Sequence, residues 1–180
     1  MVMTTSHPYV VGALAALTLT ADTPAAADGL VLQDKSGHIT EGSLTVAASP
    51  SQVYAAVTDY ANWPRLLTDV ESVKVESGGP RDARVRFKSK TFGHTVTIVF
   101  DNVTDRTIRF RGVEGPPGGH ASGSFELVPL AGGKQTQITA SVYMEVTGVP
   151  GVFVREPKVR AMREAKVRSD LLDLARHFQP

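Results

Sequence analysis

The sequence predicts an α+β fold in which a curved antiparallel sheet of seven strands is covered by one long C-terminal helix. Segments of alternating apolar and polar residues recur from residue 39 to residue 146, with short turns between them. Two short helical segments follow the first strand, and a helical apolar stripe lies within residues 151–178. A single helix about 10–12 Å wide cannot fill the concave face of so many strands, so either the sheet is flattened onto the helix or a space remains between them.

The composition is typical of one globular domain. The chain has 180 residues, of which 42% are hydrophobic and 21% charged, and its formal net charge is +1. This charge gives no general attraction to nucleic acid or other polyanions. The chain contains no cysteine, which excludes disulfides, thiolate metal ligands and cysteine nucleophiles.

The first 27 residues predict a cleaved export signal. Residues 9–17 form an apolar run too short to span a bilayer, and residues 25–27 are small, as a signal-peptidase site requires. Residues 1–8 lack Lys and Arg, which leaves an Ala- and Thr-rich tail as the alternative. We expect residues 28–37 to form a loose leader and residues 38–178 the folded domain, located in the periplasm or secreted.

The first strand is predicted over residues 39–47, with Gly42 as a candidate β-bulge. A helix should follow, because Ser49 can cap it, Pro50 suits its first position and Gln52 can complete a capping box. This helix should end near Asp59.

A bend with two aromatic residues is predicted next. Pro64 disfavours helical geometry at the preceding residue, Trp63, and donates no backbone hydrogen bond. We therefore expect a second short helix over residues 64–67, with Tyr60 and Trp63 at the bend between the helices.

Six further strands and the final helix complete the predicted order. The strands are expected at residues 70–77, 83–90, 94–101, 107–113, 123–130 and 136–146. In the helix, predicted over residues 151–178, the apolar stripe consists of Val167, Leu171, Leu174 and Phe178. Arg160 and Arg163 project close to the same stripe.

The stretch "LTVAASPSQVYAAVTDYANWPRLLTDVESVKV", residues 44–75, resembles the START-related helix-grip superfamily, which includes polyketide cyclases, coenzyme Q-binding proteins and birch-pollen allergens. It is similar to that family's first strand, capped helix, Asp-Tyr-x-x-Trp-Pro bend and second strand. The similarity continues, less specifically, through "ASGSFELVPLAGGKQTQITASV" and "DLLDLARHF", and so covers residues 38–178.

This resemblance implies an apolar cavity between the sheet and the long helix, closed at one end by the bend. Plain core packing remains an alternative for the aromatic residues. The expected ligand-binding residues are Tyr60, Trp63, Val85, Phe87, Val96, Ile98, Phe100, Ile108, Phe110, Phe125, Met144, Arg160 and Arg163. Loops similar to those at the family's cavity mouth contain Phe92, Pro117, His120 and Phe153; ordinary turns are the alternative for these loops.

The sequence carries no motif for a metal or cofactor. No two of the five histidines share a metal-ligand spacing, and no nucleotide-binding loop or nucleophile elbow is present. We therefore expect neither a metal nor a cofactor. His94 is the one candidate for catalysis, because it is in phase with the inward-facing Val96 and Ile98; a hydrogen-bonded structural histidine is the alternative.

A basic outer face is also predicted. Arg84, Arg86 and Lys88 lie on one strand and Arg109 and Arg111 on another, so a strand at residues 95–101 between them would join the five into one patch. Such a patch suits an anionic membrane surface or an acidic partner, although a solvated sheet face explains it equally. Nucleic acid is not expected, since no aromatic residues are interleaved with the basic ones.

Three functions are compatible with the sequence. The first is an exported protein that binds or transports one hydrophobic molecule, such as a lipid, quinone, sterol-like or polyketide-like compound. The second is a cyclase- or aromatase-like enzyme, which the resemblance implies. The third is a module that docks through the basic face.

Overall fold

The computed structural model describes residues 29–147 and 155–179. The strands are β1 (Val31–Lys35), β2 (Ile39–Val46), β3 (Val70–Gly78), β4 (Asp82–Ser89), β5 (Thr95–Asp101), β6 (Thr107–Glu114), β7 (Gly119–Leu130) and β8 (Gln135–Val146). The helices are α1 (Pro50–Thr58), α2 (Trp63–Leu66) and α3 (Glu156–His177), and 3₁₀ turns lie at Tyr60–Asn62 and Ala131–Gly133. In the described residues, all strands join in one antiparallel sheet in the order β1-β2-β8-β7-β6-β5-β4-β3. The predicted α+β architecture is confirmed, with eight strands instead of seven.

The additional strand is β1, which lies in the segment expected to be a loose leader. It pairs with β2 from Val31 opposite Ser43 to Lys35 opposite Ile39. The turn between the strands uses positive φ angles at Gly37 and His38. Only Leu32 of β1 packs against the core, and most of the strand is exposed. Its sequence therefore lacks the alternation that marked the other strands.

The capped helix and the bend are present where the sequence predicted them. Ser49 caps α1, and both hydrogen bonds of its capping box with Gln52 are made. The expectation that Pro64 keeps Trp63 out of the helix is wrong: Trp63 has helical angles, φ −52° and ψ −37°, and begins α2. The Trp63 indole donates a hydrogen bond to the Val57 carbonyl over 2.8 Å. Proline disfavours helical angles at the preceding residue but does not forbid them, and burial of the Trp63 side chain stabilises them here.

Gly42, predicted as a candidate β-bulge, does not lie at a bulge. Its role is instead to allow close packing of α3 on the sheet. The pairing of β2 with β1 and β8 is unbroken along its length. A Cβ atom at Gly42 would lie 2.6 Å from the Val167 side chain and 2.9 Å from that of Leu171. The missing side chain therefore lets α3 approach β2 closely.

Helix α3 covers only part of the sheet. It packs mainly on β2 and β8, with a smaller contact to β1. The predicted stripe residues Val167, Leu171 and Leu174 are buried there, and Phe178 is partly buried against the same core. On the other side of β8, α1 and the bend cover one end of the concave face, and α3 does not pack against the rest of it. This leaves the space between helix and sheet that the resemblance implied.

Candidate functional site

A cavity of about 720 Å³ occupies the space between α3, the bend and strands β4 to β8. Small-molecule sites usually have volumes of about 300–1,000 Å³. If even a fifth of this volume were left dry, the cost would be about 3.5 kcal/mol at roughly 24 cal/mol per Å³. That is a large share of the ~5–15 kcal/mol by which proteins are stable. A second hollow, of about 750 Å³, lies at the surface where α1 begins, beside β6 and β7.

Aromatic side chains from the bend and the sheet close the deep end of the cavity. The Trp63 ring lies 5.7 Å from Phe87 and 5.7 Å from Phe100, edge to face in both cases. Tyr60 packs behind them, with its ring 4.6 Å from that of Phe100. Its hydroxyl accepts a hydrogen bond from Asn102 over 2.8 Å, and burial raises the pKa of Tyr60 to about 12. The bend is thus a rigid aromatic wall.

Most of the residues expected to bind a ligand line this cavity. They are Trp63, Phe87, Val96, Ile98, Phe100, Phe110, Phe125 and Met144. The position of Phe110 depends on Gly123 in the adjacent strand, because a Cβ atom there would lie 2.6 Å from the Phe110 ring. The alternation of apolar and polar residues along β4 to β8 therefore correctly predicted which side chains form the cavity wall.

Three of the expected residues lie behind the wall instead. Val85 and Ile108 are fully buried in the core cluster that also contains Val53 of α1, and Tyr60 packs behind Phe100. They share the inner face of the sheet with the lining residues. At their end of the sheet, however, α1 and the bend cover that face and leave no free space.

Arg160 and Arg163 do not face the cavity either. Arg160 is half exposed and pairs with Glu164 at 2.9 Å and with Asp34 of β1 at 3.4 Å. Arg163 is buried, with 1% of its side chain exposed, and its guanidinium lies 2.7 Å from Glu156. It also donates a hydrogen bond to the Met144 carbonyl over 3.0 Å. Arg163 therefore joins α3 to the sheet, and the expectation of a ligand contact is corrected.

The mouth of the cavity lies between the β4–β5 turn, the β6–β7 turn and the start of α3. Phe92, Pro117, His120 and His94 line this part. All of them except the partly buried Phe92 are exposed, whereas the lining residues near the bend are buried. Within the described residues, no hydrogen bond joins the His94 ring to another side chain. Phe153, also expected at the mouth, lies outside the described residues.

Helix α3 contributes a polar row to the cavity that the sequence analysis missed. Lys158, Met162, Lys166, Asp170 and Leu174 line the cavity, spaced four residues apart along one face of the helix. The neighbouring row, with Val167 and Leu171, packs on the sheet instead. The four-residue spacing could have indicated this second row. However, its charged residues are of a kind that ordinarily faces solvent.

A buried charge cluster surrounds Lys166. Its ammonium lies 2.7 Å from the Asp170 carboxylate and 3.7 Å from that of Asp69, and only 18% of its side chain is exposed. Asp69 also accepts hydrogen bonds from the Ser89 hydroxyl over 3.0 Å and from the Thr91 backbone over 2.8 Å. This cluster is the most polar part of the deep cavity wall.

The cluster sets the protonation states of its members. Burial alone would lower the pKa of Lys166, but Asp170, Asp69 and Asp173 outweigh that effect and raise it. Burial raises the pKa of Asp170 despite the opposing charge of Lys166, and Asp69 and Asp173 raise it further. Lys166 is therefore held as an ammonium ion, and Asp170, whose pKa is raised, takes up a proton more readily than Asp69, whose pKa is lowered.

The outer face of the sheet is less basic than the sequence suggested. Strand β5 does lie between β4 and β6, as the predicted patch requires. However, Arg84 and Arg86 both pair with Glu76 and Glu114 at 2.6–3.1 Å. Lys88 pairs with Glu71 at 2.9 Å. These carboxylates neutralise the β4 side of the patch and leave Arg109 and Arg111 as its remaining cations, so the docking hypothesis loses its basis.

No group of three or more His, Asp or Glu side chains in residues 29–147 and 155–179 is placed to hold a metal ion. None of the helices in those ranges is both long and apolar enough to cross a bilayer.

Several solved structures share this architecture. The ZhuI aromatase/cyclase from Streptomyces sp. R1128 is 21% identical over 78% of this chain and 95% of its own, with a TM-score of 0.64. A START superfamily protein from Mycobacterium smegmatis is 19% identical over 79% of this chain and 100% of its own, with a TM-score of 0.63. The di-domain ARO/CYC StfQ from the steffimycin biosynthetic pathway is 18% identical over 78% of this chain and 50% of its own, with a TM-score of 0.66. At these identities the likeness concerns the fold.

The sequence itself was matched to one protein family. No curated protein matches the chain. The family described as "polyketide cyclase / dehydrase and lipid transport" matches residues 38–179, which include β2 to β8 and the whole of α3. The chain therefore belongs to the polyketide cyclase/dehydrase and lipid transport family, and it shares its helix-grip fold with the solved aromatase/cyclase and START superfamily structures.

Proposed function

We propose that the protein binds one hydrophobic small molecule in the cavity and carries it without chemical change. The observation that carries this proposal is the cavity of about 720 Å³, whose walls between the mouth and the bend are mostly aromatic and aliphatic. The family description, which includes lipid transport, supports it. A lipid, quinone, sterol-like or polyketide-like molecule fits such a space.

A pair of matched variants tests this proposal. Val96 lines the cavity, whereas Val75 is 39% exposed on β3 and is not part of its wall. Val96→Asp should abolish the saturable rise in Nile red fluorescence that we expect for the unaltered protein, because an unpaired charge in an apolar site is costly. Val75→Asp should leave that rise unchanged. Equal dye binding by both variants, with intact circular dichroism spectra, would contradict the proposal.

An enzyme acting on a polyketide-like substrate is the second candidate. The Lys166–Asp170 pair favours it, because a carboxyl with a raised pKa beside an apolar cavity can donate a proton. Liquid chromatography with mass spectrometry of the small molecule before and after incubation separates the candidates. A carrier returns the molecule with its mass and retention time unchanged. An enzyme that only closes a ring returns an isomer of equal mass and different retention time, and one that also dehydrates returns a product that is lighter by one water.

We also propose that the chain is exported after cleavage behind Ala27. The support is the apolar run at residues 9–17 and the small residues before the cleavage point. N-terminal sequencing of the protein isolated from its host tests this proposal. A first residue of Asp28 is the expected result, and a retained Met1 would contradict it.

A further inference from the structure

The Lys166–Asp170 pair is not needed to pack α3 on the sheet. That packing is made by the neighbouring row of the helix, to which Val167 and Leu171 belong. Lys166 and Asp170 instead belong to the row that lines the cavity, with 18% and 9% of their side chains exposed. Two ionisable side chains in an apolar wall are costly unless they have partners. Here they are partners for each other, and Asp69 is a further partner for Lys166. Because they also border the cavity, they are placed to contact a ligand within it.

The hydrogen-bonding capacity of Lys166 is not used up within the described residues. An ammonium group has three N–H donors. One of them reaches Asp170 over 2.7 Å, and Asp69, at 3.7 Å, is within ion-pair range but too far for a hydrogen bond. Donors are therefore left over on a side chain that borders the cavity.

The charges around Lys166 decide what kind of group it can accept. Asp170 and Asp69 lie 2.7 Å and 3.7 Å from the ammonium. A third carboxylate, Asp173, is near enough to favour the charged form of Lys166, but it is itself bound by Thr68 and Arg176. A ligand anion would add a further negative charge to this group. An uncharged oxygen accepts a hydrogen bond from the ammonium without that repulsion, and a pure hydrocarbon would leave the remaining donors unpaired.

We propose that Lys166, held in place by Asp170 and Asp69, binds an uncharged hydrogen-bond-accepting oxygen of the ligand and so sets ligand specificity and orientation. The oxygenated end of the molecule then lies against α3, and its apolar body lies toward Phe110, Phe87 and Trp63. This inference rests on the proposed function, because it assigns the polar contact within the same cavity.

Ligands that differ only in the oxygen test the inference. Acetylnaphthalene has a carbonyl where ethylnaphthalene has a methylene, and naphthoate has a carboxylate. We expect the unaltered protein, in isothermal titration calorimetry, to bind acetylnaphthalene roughly tenfold or more tightly than ethylnaphthalene, as for a hydrogen bond to a charged group. Naphthoate should bind more weakly than acetylnaphthalene.

Variants then assign this preference to the pair. Lys166→Met together with Asp170→Leu removes both charges, so that neither side chain is left unpaired, and should bring the affinities for acetylnaphthalene and ethylnaphthalene close to each other. Lys74→Met, at an exposed lysine on β3, should keep the full preference. A preference that survives in the double variant would overturn the inference.

The remaining outcomes separate the inference from the proposed function. Equal binding of acetylnaphthalene and ethylnaphthalene by the unaltered protein would overturn the inference and leave hydrophobic ligand binding standing. Tighter binding of naphthoate would overturn the assignment to an uncharged oxygen. Binding of none of the three compounds would count against both proposals.

Discussion

Arg160 and Arg163 are three residues apart on α3, and the structure gives them different roles. Arg163 is buried and holds Glu156 at 2.7 Å and the Met144 carbonyl at 3.0 Å, whereas 52% of the Arg160 side chain is exposed. Removal of a buried donor leaves the acceptor that it satisfied, here the Met144 carbonyl, without its partner. A surface ion pair contributes little, because water screens it.

The first prediction compares these two arginines. Arg163→Met should lower the free energy of unfolding by about 1–3 kcal/mol, because the Met144 carbonyl loses its hydrogen-bond donor. Arg160→Met should lower it by less than about 1 kcal/mol. Urea denaturation measures both values. Equal losses would show that Arg163 does not join α3 to the sheet as described.

The second prediction concerns Asp69 and pH. Burial alone would raise the pKa of Asp69, but hydrogen bonds from Thr91 and Ser89 and the charge of Lys166 outweigh it, so the pKa lies below its ordinary value. The folded state therefore favours ionised Asp69. Its contribution to stability is fully present above the ordinary pKa of about 4, and it is lost as pH falls through the lower pKa of the folded state.

Asp69→Asn should therefore destabilise the protein by about 1–3 kcal/mol at neutral pH. The difference from the unaltered protein should shrink as pH falls below about 4. Urea denaturation over a pH series measures this, with Asp101→Asn, at an exposed position, as the control. A difference that stays constant down to the lowest pH would contradict the assignment.

The sequence predicted the apolar residues of the cavity better than its polar ones. Phe87, Val96 and Phe110 were found because alternation in a strand reports which face is buried. Lys166 and Asp170 were missed because a charged residue on a helix ordinarily faces water. Only the three-dimensional structure shows that α3 covers part of the sheet and turns a second face toward a cavity.

At the level of elements, the contact between α3 and β2 controls the shape of the cavity. The contact is close because Gly42 has no side chain beneath Val167 and Leu171. By comparison, a Cβ atom at Gly79 would meet no atom within 4 Å. These two glycines provide a matched test of the contact.

The third prediction is that Gly42→Ala lowers the free energy of unfolding by about 1–3 kcal/mol, as overpacking of a core does. Gly79→Ala should change it by less than about 0.5 kcal/mol, as an ordinary surface substitution does. Thermal and urea denaturation measure both. If Gly42→Ala is as stable as the unaltered protein, α3 does not pack on β2 as closely as described.

Elements with strong local signals were predicted well, and those that depend on their neighbours were not. The capping box at Ser49 and Gln52 located the start of α1 to the residue. Strand β1 was missed because an exposed edge strand lacks a buried face and the alternation that goes with it. The start of α2 was placed one residue late, because the anchoring of the Trp63 indole is a tertiary effect.

On the scale of the whole molecule, the cavity couples stability to ligand binding. A ligand that binds the folded state alone stabilises it, by about 2.7 kcal/mol at a free concentration one hundred times its Kd. The fourth prediction is that removal of bound apolar molecules on a hydrophobic resin lowers the melting temperature by several degrees. Readdition of the extracted molecules should restore it. An unchanged melting temperature would indicate that the cavity holds only water.

Native mass spectrometry tests the central claim most directly. The protein should be isolated from its own host without detergent, so that any molecule in the cavity remains bound. The account predicts a discrete adduct, one molecule per chain, that disappears on denaturation and whose mass identifies the ligand class. A protein that carries no adduct under these conditions would contradict the claim that the cavity holds a hydrophobic ligand.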